Sequence, residues 1–198
     1  MANPDTVNAN REIEAAPRVA DYVVDADVHV TPPPTMWKEF LSPQFREFAP
    51  TLETIDDVDY TVFEGQRRAV HLMQSQAGRK TEEYKNVGKF SDMRLGGWQA
   101  EKRIDDMNRD GMDKAILFGG GPLQTGNLDL FLDSFDAFNR WQSAFCSYAP
   151  DRLYSAAFLP TVDVPTTVRM MHVAKKRGDV AVNIPAFPQS LRNFSKMS

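Results

Sequence analysis

Tyr22-Val23-Val24-Asp25-Ala26-Asp27-Val28-His29-Val30, followed at once by Thr31-Pro32-Pro33-Pro34, is the stretch on which the fold reading turns. It is rich in β-branched residues, which suit a pleated strand, and three successive prolines cannot continue a central strand. The run is therefore read as a strand that stops abruptly at a loop. Alternate strand residues share a face. On that rule Asp25, Asp27 and His29 point one way, while Val24, Ala26, Val28 and Val30 point the other.

Downstream the sequence alternates in type. Trp98 to Arg109 has helical spacing, with Ile104 and Met107 on one face and Gly111 as the stop. Met112 to Phe118 is a predicted strand ended by Gly119-Gly120-Gly121-Pro122. Asn127 can cap a long helix in which Leu128, Phe131, Phe135, Phe138 and Phe145 recur at helical spacing, ending before Pro150. Leu153 to Leu159 is a strand ended by Pro160. Asp163 caps a helix with Pro165 in its first turn, running to Gly178, and Val180 to Ile184 is a fourth strand. Strand and helix in alternation predict a parallel α/β fold with right-handed crossovers. An open doubly wound sheet and successive units of a (β/α) barrel both fit.

Between the first strand and this series lies a long excursion, residues 31–95. Met36 to Phe48 is predicted as one short amphipathic helix stopped near Pro50. Residues 51–72, with Asp56-Asp57 and Glu64-Gly65 between apolar alternations, predict a hairpin or small meander. Residues 74–92 are polar and predict a surface loop. The domain reading is a flexible leader over 1–20, a barrel domain over 21–185 that includes the excursion, and a tail over 186–198.

In a parallel α/β protein, ligand sites form at the C-terminal ends of strands, where the first run carries its polar groups. Carboxylate oxygen and imidazole nitrogen are both zinc ligands, so Asp27 and His29 are candidates for one divalent cation. The plainer reading is a partly exposed strand whose Asp and His meet water. A central parallel strand is normally apolar on both faces, and charges there need a counter-charge, which a cation would supply.

Asp25-Ala26-Asp27-Val28-His29 resembles the opening motif of the amidohydrolase superfamily, in particular the amidohydrolase-related (amidohydrolase 2) branch that includes aminocarboxymuconate-semialdehyde decarboxylase-like enzymes. Further matches follow in order: Arg103-Ile104-Asp105-Asp106-Met107 leading to Gly111-Met112-Asp113-Lys114-Ala115, Asn139, Pro150-Asp151-Arg152-Leu153, and Pro160. The resemblance spans about residues 22–185. It implies the N-terminal half, about four β/α units, of a TIM-barrel-like (β/α)8 metal-dependent hydrolase or decarboxylase, usually with zinc and with manganese as the alternative. It makes Asp27 and His29 the first two metal ligands and has Asp25 orient His29 through a hydrogen bond. The family's remaining residues are a His after the fifth strand, a second His after the sixth and a catalytic Asp after the eighth. These would lie beyond the fourth strand, so the chain is expected to be a truncated member, inactive alone or dependent on self-association or a complementing chain. His71, in the excursion, and His172, mid-helix, are not expected to replace them.

Composition bounds the rest. With 198 residues, 42% hydrophobic and 25% charged, the chain can bury a core, and a net charge of -4 argues against nucleic acid as a partner. A small-molecule substrate is expected. A single cysteine, Cys146, suits a reducing cytoplasm, and neither a signal peptide nor a membrane span is expected. The triple glycine lacks the spacing of nucleotide-binding loops and is expected to line the barrel mouth as a flexible loop.

Overall fold

The computed structural model describes residues 20–187 and 189. The leader assigned to 1–20 lies outside them but for Ala20, as does the tail but for 186, 187 and 189. In chain order the elements are β1 (Val24–His29), α1 (Met36–Phe40), β2 (Thr51–Ile55), β3 (Val58–Phe63), β4 (Gln66–Ala69), α2 (Ala100–Asp110), β5 (Lys114–Phe118), α3 (Leu128–Cys146), β6 (Leu153–Phe158), α4 (Val164–Arg177) and β7 (Ala181–Asn183). Four strands form a parallel sheet in the order β1-β5-β6-β7, joined by helical crossovers, and β2-β3-β4 make a separate antiparallel sheet inside the excursion.

Local chemistry sets the boundaries. Asn127 Oδ1 accepts from the Asp129 and Leu130 N–H groups, at 3.1 and 3.2 Å, and so caps α3. Asp163 Oδ1 accepts from Thr166 N–H at 2.7 Å and does the same for α4. Gly111 and Gly178 end α2 and α4 in the left-handed region, with φ of 69° and 97°. The hairpins of the small sheet turn on Asp56-Asp57 and Glu64-Gly65, all with positive φ as two-residue turns require.

Two expectations for the excursion are corrected. Met36 to Phe48 is not one helix: α1 ends at Phe40, Leu41 and Ser42 are extended, and a 3-10 turn follows from Pro43 to Phe48. A residue before proline disfavours the helical region, and Ser42-Pro43 imposes that break. Nor is 74–92 merely a surface loop. It is a series of short 3-10 turns folded back so that Leu72 and Met93 are buried together with Val70, with Gln76 Nε2 donating to Leu72 O at 3.0 Å.

The main core lies between the sheet and α2 and α3. Val28, Val30, Ala115, Leu117 and Leu153 pack against Met107, Phe138, Trp141 and Phe145. The apolar stripe of α3 is core, as its spacing predicts. That helix is buried on a second side as well, because Leu41 and Leu123 close over Leu130 and Ala137. Asn139 is a buried polar residue that holds the end of β6. Its Nδ2 donates to Phe158 O at 2.9 Å and its Oδ1 accepts from Phe158 N–H at 2.8 Å. Asn139→Leu would strand both main-chain groups, each at about 1–3 kcal/mol. The expected loss of about 2–4 kcal/mol should appear as a lower urea midpoint with an unchanged m-value.

Candidate functional site

The motif strand carries an irregularity. Asp25 pairs with Ala115 and Val28 with Leu117, so three steps along β1 match two along β5. This one-residue bulge interrupts the alternation that would put Asp25 beside His29. Asp25 instead takes the side of Ala115 and Leu117, the face packed under α2. Its Oδ1 accepts from the Asp27 N–H at 3.0 Å, a short-range bond of the kind Asp forms two residues ahead. The expected bond from Asp25 to His29 is thus replaced by one that satisfies the bulge.

Beyond the bulge, Asp27 and His29 come together. Asp27 Oδ1 lies 3.3 Å from His29 Nε2 at the C-terminal end of β1, with side chains 84% and 47% exposed. Two ligands at ~2.1 Å from a tetrahedral ion lie about 3.4 Å apart. The pair therefore fits zinc in donor type and spacing. In number it supplies two protein ligands, where a catalytic zinc usually has three. Among the described residues no group of three or more His, Cys, Asp or Glu side chains is gathered to hold a metal. His172 is exposed on α4, and His71 sits in an isolated bridge with Val87 inside the excursion.

Sequence reasoning did not single out Arg103 as a site residue. Its Nη2 donates to His29 O at 2.8 Å. Burial lowers its pKa from the ordinary arginine value, with Asp106 and Asp25 opposing the shift. Close by, Arg94 and Asp106 form a nearly buried ion pair, Nε to Oδ2 at 2.8 Å. With His29 and Arg103 they line a small pocket of about 110 Å³.

A larger cleft of about 740 Å³ opens at the strand ends. Pro32, Gly120, Gly121, Phe158 and Asn183 form its floor, and Phe63, Glu64 and Arg68 of the small sheet form its opposite wall. An adjoining cavity of about 330 Å³ reaches Val30, Thr31 and His71. Asp27 and His29 do not line either space; the motif reaches them through the residues that follow it. Of the three glycines, Gly120 and Gly121 line the larger cleft. A Cβ on Gly119 would come within 2.8 Å of Val30 N, and one on Gly120 within 2.6 Å of the Phe138 ring, so close packing requires these glycines. Burial pushes the Cys146 thiol up to about 12, which leaves it protonated and removes it as a nucleophile.

Neither a protein-family model nor a curated protein matches the sequence. Solved structures do match. An amidohydrolase from Mycobacterium avium subsp. paratuberculosis superposes with a TM-score of 0.62 at 18% identity, over 88% of this chain and 52% of that one. A 2,6-dihydroxybenzoate decarboxylase from Rhizobium gives 0.46 at 15% identity, over 86% and 40%. The Metarhizium anisopliae IDCase gives 0.48 at 17%, over 78% and 39%. The chain spans about half the length of the amidohydrolase it matches. What the first of these matches shows is the fold: four parallel β/α units with a long excursion after the first strand, arranged as in about half of that TIM-barrel structure.

Proposed function

We propose that the chain carries the first metal ligands of a metal-dependent hydrolase or carboxy-lyase acting on a small organic substrate, with zinc favoured and manganese the alternative. The observation that carries this reading is the Asp27/His29 pair, 3.3 Å apart at the C-terminal end of the first strand of an amidohydrolase-type fold. Asp27 Oδ1 and His29 Nε2 would hold the ion. Bound there, a divalent metal would supply Lewis-acid polarisation of a substrate oxygen or an acidified water. The cleft at the strand ends, which Asp27 and His29 do not themselves line, would hold the part of the substrate remote from the ion, with Trp37, Phe63 and Phe158 as apolar contacts and Arg68, Gln124 and Asn183 as polar groups. Neither nucleic acid nor a membrane is a partner in this reading. Among the described residues no helix is long and apolar enough to cross a membrane, and the buried, protonated Cys146 suits a cytoplasmic protein.

A second reading has a specific observation behind it. Among the described residues only one edge of β7 is paired, and Val180, Val182 and Ile184 are exposed around it. Open strand edges invite pairing. The chain on this reading is inactive alone and is completed by self-association or by a complementary chain bearing further strands and ligands. A zinc titration followed by thermal unfolding tests the metal reading. Zinc at 100 times its Kd should stabilise the chain by about 2.7 kcal/mol, and a chelator should reverse the shift. A melting temperature indifferent to zinc and manganese would sink it.

A further inference from the structure

We propose that Arg103 is the positioning residue of the Asp27/His29 pair, reaching from α2 to hold the main chain of His29 at the unpaired edge of β1. The proposal rests on the metal-binding reading above. Among the described residues β1 is bonded to one neighbour only, β5. Val30 N–H donates to Phe118 O at 3.1 Å. Main-chain groups of successive strand residues point to opposite edges, so the His29 carbonyl points away from β5. An end of strand bonded on one side alone frays, and a ligand on it is poorly held. Two contacts oppose this. Thr31 N–H donates to Gly97 O at 2.8 Å, and Arg103 Nη2 donates to His29 O at 2.8 Å. The second acts on the ligand residue itself, and charge-assisted hydrogen bonds are the stronger kind.

The position is a costly one for a guanidinium. Arg103 Nε is buried without a hydrogen-bond partner, and burying polar groups unsatisfied is unfavourable. Apolar packing at this position would be served as well by methionine or leucine. Besides its attraction to Asp106 and Asp25, what the guanidinium adds there is the bond to His29. The bulge supplies the complementary restraint, because Asp25 fixes the Asp27 N–H. Asp27 is thus set by Asp25 and His29 by Arg103, with both restraints acting through the backbone.

The test compares the full chain with Arg103→Met, Arg103→Lys and Arg152→Met. Arg152 ties α2 to the strand starts through Asn108 Oδ1 and the carbonyls of Met112 and Asp113, at 2.6–3.0 Å, and does not touch His29. It serves as the control for destabilisation alone. Two quantities are measured: zinc affinity by chelator competition at 25 °C, and amide exchange over residues 28–31. Arg103→Met should weaken zinc about 10–100-fold, the range found when partners that orient ligands are lost. It should also speed exchange over 28–31, with partial recovery of both in Arg103→Lys. Arg152→Met should lower the melting temperature and leave zinc affinity within about twofold. Zinc bound equally by the unmodified chain and Arg103→Met overturns the proposal and leaves the metal reading standing. An unmodified chain that binds no zinc, with exchange accelerated only in Arg103→Met, overturns the metal reading and supports Arg103 as the anchor of the strand end. No zinc and no change in exchange overturns both.

Discussion

His29→Ala should weaken zinc binding by more than about 100-fold while leaving the metal-free chain as stable as before. The two halves of this expectation come from different features of one residue. On the proposed metal site the imidazole would be one of two donors, so its loss should exceed the roughly 10–100-fold cost of removing a partner around a ligand. Yet the side chain is 47% exposed and its contact with Asp27 is a surface pair, worth about 0–1 kcal/mol. Exposed substitutions of this kind usually stay within about 0.5 kcal/mol. Isothermal titration with zinc, paired with urea denaturation of the chelator-treated protein, reads both quantities. A variant that keeps its zinc affinity would remove His29 from the site. One that loses affinity and unfolds would show that the strand end had a structural role.

The second large effect is on folding. Phe138→Ala should cost about 3–5 kcal/mol, the usual range for deleting a buried phenylalanine. Phe138 is fully buried where three parts of the molecule meet. Its ring lies 6.3 Å from Trp37 of the excursion, 5.5 Å from Trp141 one turn along α3 and 5.3 Å, edge-on, from Phe158 at the end of β6. The ring also fills the space that a Cβ on Gly120 would occupy. Its removal opens a cavity whose walls belong to separate elements, and these cannot collapse together without moving the strand ends. At roughly 2–4 °C per kcal/mol for a chain of this size, the melting temperature should fall by about 6–20 °C. The Leu substitution, which keeps most of the volume, should cost well under half as much.

Much of the architecture is readable residue by residue because it is set locally. Asn127 and Asp163 announce helix starts by their side-chain oxygens, and Gly111 and Gly178 announce helix ends by the backbone conformation that they alone adopt cheaply. The Ser42-Pro43 break is equally local, and the apolar spacing around it conceals it. The site is different. Alternation places Asp25 beside His29 only if β1 is regular, and whether a strand is regular depends on its register with β5, about 90 residues further along the chain. Arg103 stands on a helix whose apolar face is plain in the sequence, yet its partner is a carbonyl 74 residues away. A main-chain acceptor carries no side-chain signature. The burial of Leu72 with Met93 is hidden for the same reason, since the two are brought together only across the excursion. What is legible, then, is which side chains have donor chemistry; the β1 register and the Arg103 bond to His29 are long-range.

The central claim is that Asp27 and His29 together bind a divalent metal. Native mass spectrometry of the unmodified chain, Asp27→Ala and His29→Ala, each loaded with zinc and passed through a desalting column, tests it most directly. Stoichiometric zinc is expected on the unmodified chain, as monomer or as a self-associated species, and none on either variant. A zinc-free unmodified chain, or zinc retained equally by both variants, would contradict it.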